Sequence, residues 1–321
     1  MHENIRQRLL RQGLIDPDDA EKIARFEAEK PFSLHWELKT LLYLGVLLLN
    51  VGLGYIVYEN IDSIGHTVII LLIGALSAAC FWYANRHRQP FSKSEAESPT
   101  PYFDYILLLG CLAFLVMEGY WQYQYQLFGT RYGLATFIPM VLFFGLAYWF
   151  DNRGVLALAL TALASWLGLT LAPQNILTDN DFNSAALVNT GIFLGVLLAT
   201  LAFLSERMEF KKHFSTTYLN FGVHILMISC LAGMMSLDVL AVYFPLLCLA
   251  VGFFLWYARS RGSFYFLLVA VLYGYIGFTY LFFSVSDSLD FTVYLLYFIL
   301  SCGGIIVFLT QYKRFFKKSD A

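Results

Sequence analysis

Residues 38–58 read LKTLLYLGVLLLNVGLGYIVY. Beyond Lys39 the stretch carries no charge, and it matches the roughly 20 apolar residues that an α-helix needs to cross a bilayer. Further stretches of the same kind lie at 67–84, 104–122, 133–150, 154–173, 185–205, 215–236, 238–258, 263–284 and 291–310. Each is continuously apolar, whereas strands of a membrane β-barrel alternate apolar and polar residues. The expected fold is therefore all-α: a polytopic transmembrane helix bundle of about ten spans over 38–310, followed by a basic tail at 311–321.

Composition agrees. Of the 321 residues, 59% are hydrophobic and only 14% charged, against about 45–50% and about 25% in soluble domains. That excludes a soluble globular protein and a disordered one. The net charge of −2 gives no basic balance, so nucleic acid is not an expected partner. Cys80, Cys111, Cys230, Cys248 and Cys302 all fall inside apolar runs, without a CxxC or a histidine at metal-ligand spacing. They are expected to be buried free thiols, with no metal and no cofactor.

Charge placement sets the orientation. Alternating the connections between two sides puts twenty Lys and Arg residues on one side and only Arg131 on the other. The positive-inside rule then predicts cytoplasmic N- and C-termini and an inner-membrane location. The outer connections lean acidic, through Glu59, Asp62, Asp179, Asp181, Asp238, Asp287 and Asp290. The longest inner connection, 85–103, is rich in Pro, Ser and Glu and reads as flexible. The short ones, DNRG (151–154) and RSRG (259–262), demand antiparallel hairpins.

The polar residues 1–37 predict that the first apolar run spans the membrane and is not a cleaved leader. Residues 3–11 suit a short helix stopped at Gly13. Asp16 then stands at an N-cap and Pro17 at the first helical position, with Asp18 and Asp19 complementing the helix dipole, for a second helix running to about Glu29. This cytoplasmic helical hairpin is too small for a core of its own. It is expected to dock on the membrane part or on a cytoplasmic protein partner.

The same stretch carries a likeness. LLRQGLIDPDDAEKIARFEAE (9–29), followed by LGVLLLNVGLGYIVYENID (44–62), resembles the N-terminal region of the bacterial membrane family called domain of unknown function 2157. The matching positions are Gly13, Leu14, Ile15, Ala20, Ile23, Gly45, Gly52, Gly54 and Asn60; Ile61 stands where the family often has Trp. The resemblance covers roughly the first 90 residues. It implies a multi-pass inner-membrane protein and brings no activity or catalytic residues.

Inside the spans, small residues mark close helix approaches. Gly191, Gly195 and Ala199 form one such stripe and Ala157, Thr161 and Ser165 another, which places the fifth and sixth spans near the bundle centre. Pro139 and Pro245, with Arg153-Gly154 and Arg261-Gly262, suggest a parallel repeat of spans 2–5 in spans 6–9. Ionisable groups in a span are costly and point to function. Glu118 and His224 are the two, as a candidate proton relay or cation site. Their alternative roles are an interfacial carboxylate and a hydrogen bond to a neighbouring helix. Asn50, Asn189 and Asn220 are further intramembrane candidates, each also suited to bonding between helices. Tyr120, Trp121, Tyr123, Tyr125 and Tyr132 offer a candidate outer aromatic shelf for a sugar or lipid headgroup, or an ordinary interfacial belt.

No HExxH, GxSxG, GxxxxGK[ST] or GxGxxG stands in a fitting context, so no catalytic residue is named. Three readings stay open: a non-enzymatic scaffold, sensor or assembly partner in the lipid bilayer, using residues 1–37 as adaptor; a secondary transporter of a small apolar or cationic solute, proton-coupled through Glu118 and His224; and a membrane enzyme acting on a lipid-linked substrate. The first leads.

Overall fold

The computed structural model describes residues 35–96, 98–129, 131–171, 184–237, 239–286 and 291–311. Among them every regular element is helical. The helices are α1 (His35–Ile64), α2 (His66–His87), α3 (Phe103–Tyr125), α4 (Tyr132–Phe150), α5 (Arg153–Leu171), α6 (Ala185–Arg207), α7 (Ser215–Ser236), α8 (Leu240–Arg261), α9 (Phe264–Val285) and α10 (Phe291–Thr310), with one 3-10 turn at Lys212–Phe214. Nine are long and apolar enough to cross a bilayer. In α10 the apolar stretch is the shorter Thr292–Phe308, so the expected ten spans stand as nine and one shorter candidate. Residues 1–34, which hold the expected helical hairpin, the tail after Gln311 and the outer acids Asp179, Asp181, Asp238, Asp287 and Asp290 lie outside the described residues, and 35–37 open α1.

The chain divides into two units, Met1–Leu53 and Gly54–Ala321. In the second, consecutive helices pair as antiparallel hairpins: α2 with α3, α4 with α5, α6 with α7 and α8 with α9. One continuous buried core joins all four, through Ala84, Leu107, Phe143, Leu156, Leu198, Met227, Leu247 and Leu267 among others. The chain reverses at α4–α5 with Asp151 in the left-handed region (φ 58), its N–H returning to the Ala147 carbonyl. Asn152 then caps α5, accepting from the Val155 N–H at 2.9 Å. At α8–α9 the left-handed residue is Gly262 (φ 64), where glycine pays no Cβ penalty.

The small-residue stripe of α6 is used, but against α7. A Cβ on Gly195 falls 2.7 Å from Leu226 Cβ, and one on Gly222 falls 3.0 Å from the Gly195 carbonyl oxygen. The central helix is accordingly α7, buried over 44% of its apolar window where α5 and α6 reach 28%. In α5, Thr161 and Ser165 face outward and Thr161 bonds back to Ala157 of its own helix. The hairpin order is the one a 2–5/6–9 repeat requires. The Arg-Gly pairs, however, occupy different places: Arg153 begins α5, whereas Arg261 ends α8.

Candidate functional site

The connections α2–α3, α4–α5, α6–α7 and α8–α9 gather at one end of the bundle. Asp151 and Lys211, whose side chains are both covered, pair there at 2.8 Å between Oδ1 and Nζ. His213 Nε2 donates to the same oxygen at 2.6 Å. The other carboxylate oxygen, Oδ2, accepts the Ala96 N–H at 2.7 Å. Lys211 itself adopts φ 48, gives its N–H to the Lys93 carbonyl at 2.8 Å and holds its ammonium 4.9 Å from the Phe91 ring. An ammonium over a ring face and against a carboxylate recovers part of the hydration that burial removes. Arg153 reaches Glu95 at 2.6 Å, and Arg261 pairs with Glu206. Beside the cluster, Asn152 donates to Asp104 at 2.9 Å and Asp104 accepts from Ser98 at 2.6 Å.

This ordered cluster corrects the flexible reading of 85–103. The connection is fastened through Phe91, Lys93, Glu95, Ala96 and Ser98. Sequence reading missed Asp151, Lys211 and His213 because Lys211 resembles any loop cation sorted to the inner side. Its partner stands 60 residues earlier, beyond the reach of local spacing. The one local hint was an acidic residue in DNRG, in a connection that alternation puts on the same side as Lys211.

The intramembrane candidates are placed separately. His224 meets Tyr273 through Nδ1 at 2.9 Å and Tyr265 through Nε2 at 2.8 Å. In a neutral imidazole one nitrogen donates and the other accepts, so two hydroxyls complete its bonding. Glu118 is buried, and its Oε1 has no hydrogen-bond partner among the described residues. Both α3 and α7 start at the loop end. Glu118 lies 15 residues along α3 and His224 nine along α7, which separates them in depth by about 9 Å at about 1.5 Å per residue. The structure therefore does not join them in one relay. Asn189 accepts from the Tyr243 hydroxyl at 3.1 Å and ties α6 to α8. Asn50 donates to Val46 of its own helix at 2.8 Å. Asn220 has a buried Oδ1 with no partner among the described residues.

The outer aromatics divide. Tyr120 bonds His66 at 2.6 Å and Tyr125 bonds Thr67 at 2.7 Å, closing the α2–α3 hairpin. Trp121, Tyr123 and Tyr132 are exposed. Gln122 stabilises the turn after α3, accepting from the Phe128 N–H and donating to the Gly129 carbonyl.

The position of these groups along the chain bears on its kinship. Residues 7–156 match the family described as predicted membrane protein, DUF2157. The match runs past the first 90 residues, through α1 to α4 and into α5. Within this DUF2157 region lie Glu118, Asp151 and the whole α2–α3 connection. Lys211, His213 and His224 lie beyond it, so the ion-paired cluster joins the DUF2157 region to the rest of the chain. No curated protein and no solved structure matches the chain.

Proposed function

We propose that this multi-pass membrane protein is a non-enzymatic scaffold or assembly component of the inner membrane. Both termini are cytoplasmic, and residues 1–37 serve as an adaptor for a cytoplasmic protein. The observation that carries this reading is the continuous buried core joining α2 through α9. The larger hollows are apolar grooves on the outside of that core. One, of about 550 Å³, runs between α5, α6 and α7 past Ser165, Thr190 and Gly191. Another, of about 600 Å³, is lined by Phe203, Leu226 and Trp256. Side chains that polar chemistry would use are committed elsewhere: His224 to two tyrosines, Asp151 and Lys211 to each other. The placement of Arg86, Arg88, Lys93, Arg153, Arg207, Lys212, Arg259 and Arg261 at the end where these connections gather supports that orientation.

One observation favours the transporter reading. The buried, unpartnered Oε1 of Glu118 is the kind of group a coupled proton or cation would visit. Proteoliposomes loaded with a pH-reporting dye separate the two. The scaffold reading expects the same proton leak from wild-type, Glu118→Gln and protein-free vesicles under an imposed gradient. A protein-dependent flux that Glu118→Gln abolishes would replace it with transport.

A further inference from the structure

We propose that an open recess at the loop end is a site for a phosphate group, carried by an anionic phospholipid or free as inorganic phosphate. The recess holds about 530 Å³ and is lined by Lys93, Glu95, Arg153, Glu209, Lys212 and His213. Its donors converge from three parts of the chain: Lys93 from the α2–α3 connection, Arg153 from the start of α5, and Lys212 and His213 from the α6–α7 connection. A tetrahedral group with several acceptor oxygens suits donors arriving from different directions, and Arg and Lys are its usual partners.

The floor is built. The His213 side chain is 6% exposed and fixed by its Nε2 bond to Asp151, whose own position is set by Lys211 and Ala96. The second ring nitrogen of His213 has no partner among the described residues. Neither do the ammonium groups of Lys93 and Lys212 have an acidic partner there. Of the two carboxylates, Glu95 is engaged by Arg153. With that pair balanced, Glu209 opposes the two ammonium groups of Lys93 and Lys212, so the recess keeps a net positive charge and favours an anion. With one carboxylate already present, the anion must offer more than a single charge or bond several donors at once, as a phosphate does.

Depth points the same way. Trp149 stands two residues before Asp151, half-exposed, with the Arg88 guanidinium 4.3 Å over its ring. Trp82 and Trp256, also exposed, lie toward the same ends of α2 and α8. Exposed tryptophans at helix ends mark the headgroup level of a bilayer. The anions standing at that level are lipid phosphates. The inference holds whether the chain scaffolds or transports.

The test is phosphorus-31 NMR on the purified full chain in neutral detergent. The probes are inorganic phosphate and dihexanoyl-phosphatidylglycerol, with dihexanoyl-phosphatidylcholine as the zwitterionic control. Saturable line broadening of either anionic probe supports the site, and whichever probe broadens identifies the source. Lys93→Gln/Lys212→Gln should weaken binding roughly 30-fold, about five-fold for each cation removed near the surface. Glu209→Gln should tighten it, an increase that a merely structural role would not produce. No saturable broadening of either anionic probe, equal broadening of phosphatidylcholine, or binding unchanged in Lys93→Gln/Lys212→Gln with normal helix content overturns the proposal.

Discussion

Gly195→Ala probes the glycine that, among the described residues, comes nearest to the backbone of a neighbouring helix. The added methyl would lie 2.7 Å from both Leu226 Cβ and the Leu226 backbone nitrogen, whereas ordinary contact begins at 3.4 Å. Backbone stands in the way, so no side-chain rotation relieves the clash. The α6–α7 seam must open by about 0.7 Å, and a gap of that size forfeits a quarter to a half of each dispersion contact across it. With on the order of 40 atom contacts at about 0.1–0.2 kcal/mol each, the loss is about 2 kcal/mol, within the range for overpacked cores. Gly145→Ala is the control, because nothing lies within 4 Å of a Cβ there. It should be neutral, or stabilise by up to about 1 kcal/mol through helix propensity. Reversible unfolding in mixed micelles, followed by circular dichroism, measures both. If Gly195→Ala proves as stable as Gly145→Ala, the close α6–α7 approach is refuted.

The loop-end cluster yields two further expectations. Lys211→Met leaves the Asp151 carboxylate buried without its ammonium and should cost about 3–5 kcal/mol. Hydrogen exchange at residues 91–96 should rise with it, and unchanged protection there would contradict the fastening described for this connection. Asn152→Ala removes both the cap on Val155 and the bond to Asp104. It should lower stability by about 1–2 kcal/mol, read as a fall in Tm; an unaltered Tm would mean the cap carries nothing.

Helix positions were legible in the sequence because spanning a bilayer leaves a one-dimensional signature. Continuous apolar runs located α2 to α9 to within about three residues at each end. The Gly191-Gly195 stripe was legible too, as a close approach, although its partner proved to be α7 and not α5. Small residues announce contact without naming the neighbour. The Arg153-Gly154 and Arg261-Gly262 pairs misled for a related reason: the cap is Asp151 at one turn and Gly262 at the other, so identical dipeptides end up on opposite sides of their reversals. Lys211 was the least legible residue. Its burial depends on Asp151, His213 and Phe91, which come from three separate connections, and no periodicity encodes a meeting of loops. Glu118 and His224 were visible as polar groups in apolar runs, but their different depths emerge only from the helix starts.

Cysteine accessibility is the most direct test of the topology on which these readings depend. In a chain lacking the five native cysteines, Ser94→Cys sits on the α2–α3 connection and Ser260→Cys in the last turn of α8, at the same end, and Tyr123→Cys near the outer end of α3; all three positions are exposed. A membrane-impermeant maleimide should label Tyr123→Cys in spheroplasts with intact inner membranes, and Ser94→Cys and Ser260→Cys only after the membrane is broken. Equal labelling of Ser94→Cys and Tyr123→Cys in intact spheroplasts would contradict the account.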